Sequence, residues 1–110
     1  MVSGSDIMLT TTETVPGRRI TRCLGLVKGS TVRSKHIGAD VVASLRNLVG
    51  GEVKEYASLL SGAREQALDR MTAQARALGA DAVVAVRLET STIAQNASEV
   101  MAYGTAVTLE

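Results

Sequence analysis

The chain reads as a small α+β domain, an antiparallel sheet with two helices between an N-terminal and a C-terminal pair of strands. Three observations predict this. The run Tyr56–Glu89 carries a long amphipathic pattern that stops at Gly79 and passes directly into a β-branched segment. A shorter helical stripe precedes the Gly50-Gly51 pair. Thr- and Val-rich segments flank these helices at both ends, so the helices are grouped centrally and do not alternate with strands as βαβ units would.

Taken in order, Ile7–Thr14 is rich in Thr and aliphatics and is expected as a first strand, closed by the Pro16-Gly17 turn. Arg19–Val32 alternates, with Ile20, Arg22, Leu24, Leu26 and Lys28 on one side and Thr21, Cys23, Gly25 and Val27 on the other. Neither side is purely polar, which suits a strand covered on both faces or lying at an interface. Gly25 and Gly29 within it predict a bulge or a close backbone approach. Bent-sheet geometry explains them better than a ligand-facing strand.

A first helix is expected from Gly38 or Ala39 to Val49, on the stripe Val41, Val42, Leu45, Leu48 and Val49. Gly50-Gly51 stops it, because glycine takes the left-handed conformation cheaply. Glu52–Glu55 reads as a polar connection, and the second helix begins near Tyr56 or Ala57. Its stripe is Leu60, Ala63/Arg64, Ala67, Leu68, Met71, Ala75 and Leu78. At 1.5 Å per residue, a helix of roughly 20 residues would run about 30 Å. Gly62 inside it costs about 1 kcal/mol relative to alanine. Ala82–Thr92 and Val100–Leu109 are the last strands, joined across Ile93–Glu99 as an antiparallel hairpin.

Length and composition narrow the function classes. With 110 residues the chain holds one domain, residues 1–110, with a single modest core. It has no Phe or Trp and only Tyr56 and Tyr103 as aromatics, so the core must be built from Val, Leu, Ile, Met and Ala. Such a core buries less area per residue, at about 25 cal/mol per Å². Burying more surface against copies of itself is one remedy, so self-association is expected. A net charge of +1 supplies no field for nucleic acid or an anionic membrane, and two tyrosines are too few to stack bases. Cys23 is the single cysteine, which excludes an intrachain disulfide. The N-terminal residues carry neither a basic region nor an apolar core of a signal peptide, and no apolar run could span a bilayer. A soluble cytoplasmic protein is the expectation.

Chemistry-bearing constellations are few. A structural zinc site wants four Cys or His ligands, and this chain offers Cys23 and His36 in different segments, without CxxC or HxxxH spacing. Asp40, one helical turn beyond His36, could supplement them. A site would form only if several subunits pooled these ligands, and thiolates would then select soft ions such as Zn, Cu or Cd. Otherwise Cys23 is a small apolar residue in a strand. No acid is spaced to orient a Cys23–His36 nucleophile pair. Glu65 and Asp69 share a helix face but sit beside Arg64, Arg70 and Arg76, which reads as paired surface charge. The LVKGST segment lacks P-loop spacing. No catalytic residues are expected, and the chain is read as non-enzymatic.

Gly50-Gly51, Tyr56, Ala63-Arg64-Glu65, Gln74–Val84 and Gly104-Thr105-Ala106-Val107 together resemble the YbjQ family, bacterial and archaeal proteins of this length that are labelled heavy-metal-binding. The resemblance covers about Leu9 to Leu109, and its most specific part is the junction of the long helix with Gly79-Ala80-Asp81-Ala82-Val83-Val84. It implies a dodecin/YbjQ-like α+β subunit that forms a ring-shaped homopentamer, with no established biochemical activity. It also keeps Arg64 and Glu65, which become candidate binding residues lining a pocket between subunits. Where relatives carry a Cys-Gly-like step, this chain has Cys23-Leu24-Gly25, with Leu24 inserted.

Overall fold

The computed structural model describes residues 6–34, 52–94 and 97–110, with side chains described for most of these. The first helix expected over residues 38–49, and with it His36 and Asp40, lies outside the described residues.

The described elements are β1 (Met8–Leu9), β2 (Ile20–Ser34), α1 (Glu52–Ala77), β3 (Ala82–Ala94) and β4 (Ala97–Leu109). They form one four-stranded sheet in the order β1-β3-β4-β2. β4 pairs antiparallel with both β2 and β3, whereas β1 pairs parallel with β3. The sheet is therefore mixed, and the expected antiparallel sheet with a paired N-terminal hairpin is corrected. β1 and β2 sit at opposite edges, because the Pro16-Gly17 turn carries the chain across the end of the sheet and does not fold it back on itself. The expected first strand also shrinks to two residues in the ladder.

α1 begins earlier than expected, at Glu52, so Glu52–Glu55 is helical and not a connection. The helix ends in a Schellman motif. Ala80 N–H donates to Ala75 C=O at 3.1 Å and Gly79 N–H to Arg76 C=O at 3.0 Å, with Gly79 at φ +79°. Asp81 N–H then bonds Val107 C=O at 2.9 Å, and the chain is already in the sheet.

Ala63, Ala67, Met71 and Ala75, four residues apart, are the buried row of α1. Ala67, Met71 and Ala75 pack on Val27, Val83, Val86, Ala102 and Ala106 to make the main core. Three alanines bring the helix backbone down onto β2, and Gly29 is what lets it come so close. A Cβ at Gly29 would strike the backbone nitrogen of Met71 and the backbone oxygen of Ala67. The predicted close approach is thus at Gly29, and the predicted bulge is at Gly25. There the β2–β4 register slips between Cys23 and Gly25, Leu24 is the extra residue, and Gly25 sits at φ +107°.

On the opposite sheet face, among the described residues, Val15 lies on Ala82, Val84 and Val107 at one end with Ile20 and Leu109 beside them. Residues 10–14 continue past β1 along the edge of β3. Thr10 N–H donates to Val83 C=O and Val86 N–H to Thr10 C=O, both at 3.0 Å, and Ala85 N–H reaches Thr12 C=O at 2.8 Å. Ala85 adopts φ +54° at the bulge that makes this geometry, and Arg87 Nη1 secures Thr11 C=O at 3.0 Å. No described helix is long and apolar enough to cross a membrane.

Candidate functional site

The sequence-predicted residues do not converge. Cys23 is exposed on edge strand β2, opposite Val107 and immediately before the bulge. Arg64 and Glu65 are exposed on α1, next to the buried Ala63 and turned away from the sheet. His36 lies outside the described residues. Among the described residues no three His, Cys, Asp or Glu side chains gather as a metal would require. One exposed thiol does not make a soft-metal site, so any metal held through Cys23 would need donors from elsewhere, including other copies of the chain.

The arrangement that sequence reading missed lies along the edge of β2 that no described strand pairs. Gly29 faces α1, so Lys28 and Ser30 turn to the other face and their backbone groups point out of the sheet. Two α1 side chains wrap round to meet them. Gln74 Oε1 accepts from Lys28 N–H at 2.7 Å, and Arg70 Nη1 donates to Ser30 C=O at 2.5 Å. Lys28, Ser30, Arg70, Gln74, Glu99 and Met101 line an open cleft of about 420 Å³ there. Gln74 and Arg70 looked like ordinary solvent-face residues in the helical pattern. The only hint of their role was the glycine in the facing strand.

A long unpaired strand edge invites pairing with another chain, and side chains that occupy its amides are one means of controlling that. Here the caps cover two positions of a 15-residue strand. Leu26 and Val32, the outward positions on either side, are 67% and 55% exposed. On the other side of the sheet the N-terminal segment covers β3 as far as Val86, and Leu88 beyond it is 44% exposed. A second cleft of about 420 Å³ lies under the N-terminus among Asp6, Ile7, Met8, Arg18, Asp81 and Leu109.

Two polar contacts on the exposed surface have defined electrostatics. Tyr103 O–H donates to Glu89 Oε1 at 3.1 Å across β3 and β4. That bond, with the nearby carboxylate charge, raises the phenol above its ordinary range. Arg19 pairs with Glu110 at 2.6 Å, which lowers the Glu110 carboxyl and raises the arginine. Both of these residues are largely exposed, so the pair adds little to stability.

Residues 7–110 match the model of the YbjQ family, described as "Putative heavy-metal-binding". A UPF0145 protein of Halobacterium salinarum is 61% identical over 99 residues, covering 90% of this chain and 95% of the relative. A UPF0145 protein of Dehalococcoides mccartyi is 57% identical over 104 residues, 94% of this chain and all of the relative. One of Thermus thermophilus is 55% identical over 105 residues, 96% of this chain and 92% of the relative. Among solved structures, a Pediococcus pentosaceus protein of the DUF74 family, described as of unknown function, superimposes with a TM-score of 0.62 at 15% identity. It covers 94% of this chain and 98% of its own, so the fold is shared. None of these descriptions states a catalytic activity.

Proposed function

The chain belongs to the YbjQ family, and from that premise we propose that it is a cytoplasmic, non-enzymatic binding module that works as a closed ring of identical subunits, five in number as the family resemblance implies. The observation that carries this reading is exposed aliphatic surface along the sheet edges: Leu26 and Val32 on β2 are 67% and 55% exposed and Leu88 on β3 is 44% exposed, area that burial against further copies of the chain would remove from water. Light scattering on a size-exclusion column tests the reading. A multiple of the protomer mass at micromolar concentration supports it, and a species at 11.5 kDa overturns it.

Heavy-metal binding is the second reading, favoured by the family's description together with the exposure of Cys23. In a ring each subunit would contribute one thiol, and thiolates favour soft ions such as Cu(I), Zn or Cd. Stoichiometric metal that is retained by the wild type and lost in Cys23→Ser supports it. Equal retention by both ends it.

A further inference from the structure

The cleft beside the β2 edge carries charge of opposite sign at its two ends. In the β2–β4 ladder Lys28 pairs with Tyr103, Ser30 with Met101 and Val32 with Glu99. Gly29 and Ala102 face α1, so Lys28, Met101 and Glu99 stand on the other face of the sheet. Lys28 is at one end of the cleft, Met101 in the middle and Glu99 at the far end. At about 3.3 Å per residue, the Ser30 and Glu99 rows lie roughly 7 Å apart, and the Lys28 and Glu99 rows roughly 13 Å. Lys28 and Glu99 therefore do not meet. The Lys28 ammonium and the Glu99 carboxylate have no partner among the described residues.

The basic end is held in place by the two caps. Arg70 and Gln74 stand one helical turn apart on α1, and each is tied to the β2 backbone by one atom. Because Lys28 offers an N–H, Gln74 must present its carbonyl oxygen there, which leaves its Nε2 group as a donor. Arg70 spends one Nη1 donor on Ser30 C=O and keeps its other N–H groups. Both side chains line the cleft with Lys28 and the Ser30 hydroxyl. Donors fixed in advance by other bonds lose little freedom when a ligand arrives.

Deepening the binding-module reading above, and resting on it, we infer that this cleft takes a small zwitterion. An acid group, carboxylate or phosphate, is held by Lys28, Arg70, Gln74 and Ser30, and an ammonium several bonds away is held by Glu99. Met101 lies under the aliphatic segment that joins them. A simple anion would leave Glu99 unpaired and repelling it, and a simple cation would face Lys28 and Arg70. A ligand with both charges finds a partner at each end. The volume of about 420 Å³ suits a molecule of metabolite size. Every lining residue comes from one protomer, so the cleft does not depend on the number of subunits.

Isothermal titration calorimetry at low salt tests this with two zwitterions, phosphoethanolamine and ε-aminocaproate. Inorganic phosphate, caproate and ethanolamine serve as half-ligands. At least one zwitterion is expected to bind about ten-fold tighter than either of its halves, and the tighter of the two identifies the acid group. Glu99→Gln should weaken the zwitterion about ten-fold without weakening the acid half-ligand, and Lys28→Gln should weaken both. Loss of fold would not produce that split. Phosphate or caproate binding as tightly as its zwitterion, or a Glu99→Gln protein that binds like wild type, would overturn the assignment. So would the absence of binding by both zwitterions. Light scattering on the same samples separates this from the ring. An oligomer that binds neither zwitterion overturns the cleft and leaves assembly standing, whereas a monomer that binds overturns the ring and leaves the cleft.

Discussion

Gly29→Ala is the sharpest perturbation of this fold. The added methyl would overlap the Met71 amide nitrogen and the Ala67 carbonyl oxygen, and would lie 2.7 Å from Arg70 Cβ. The first two are backbone atoms inside a helix, so no rotamer change relieves the clash. Carbon contacts settle near 3.5–4.0 Å, so α1 must lift from β2 by roughly 1 Å. That movement loosens Ala67, Met71 and Ala75 from Val27, Ala102 and Ala106, the centre of the main core. Overpacking usually costs about 1–3 kcal/mol, and an immovable backbone target puts this change at about 3 kcal/mol. For a total stability of about 5–15 kcal/mol that is a large share. With an m-value of about 1.5 kcal/mol/M, the urea midpoint followed by circular dichroism at constant protein concentration falls by about 2 M. Gly62→Ala is the control, since its added methyl meets nothing within 4 Å on an exposed helical position. It is expected to stabilise by about 0.5–1 kcal/mol. A Gly29→Ala midpoint within about 0.3 M of wild type would refute the close-packing argument.

Other perturbations read the surface contacts. In a Tyr56→Phe background, ultraviolet titration of Tyr103 should give a phenol pKa above the ordinary value, and Glu89→Gln should bring it down, because the hydrogen bond to Glu89 is the main cause of the rise. Since the folded pKa is the raised one, the stabilisation is complete below the unfolded tyrosine pKa and is lost as pH climbs through the folded value. An unchanged titration in Glu89→Gln would contradict the contact. For Glu110, NMR titration should place the carboxyl below the usual glutamate range, with Arg19→Gln restoring it. Here the folded pKa is depressed, so the small contribution is present above the unfolded pKa and disappears as pH falls through the folded one. Added salt should weaken the effect, and a titration indifferent to Arg19 would remove the pair from the account.

The junction of α1 with β3 was legible because three local signals agree there: a helical stripe, a glycine at the left-handed cap, and a β-branched run after it. β2 and its two special glycines were legible for the same reason. The rest depends on what the elements meet. Met8 and Leu9 carry no mark of which strand they join, and their parallel pairing with β3 follows from where the turn at Pro16-Gly17 delivers β2. Ile93–Glu99 reads as a loop, yet β3 and β4 extend through most of it, with Ala94 opposite Ala97. Cross-strand pairing along a long hairpin outweighed the weak strand preference of Ala and Ser. Leu78 fits the helical stripe but is exposed, because Gly79 ends the helix before that position turns to the sheet. The edge caps were invisible for a simpler reason. Nothing in a helical pattern distinguishes a glutamine or arginine facing water from one reaching around a neighbouring strand.

The central claim is that this protomer is one part of a closed assembly, and native mass spectrometry of the wild-type protein tests it most directly. The account predicts one dominant species near five times the 11.5 kDa protomer mass, with any retained metal read from the same spectrum. A dominant ion at 11.5 kDa from micromolar solution would contradict it.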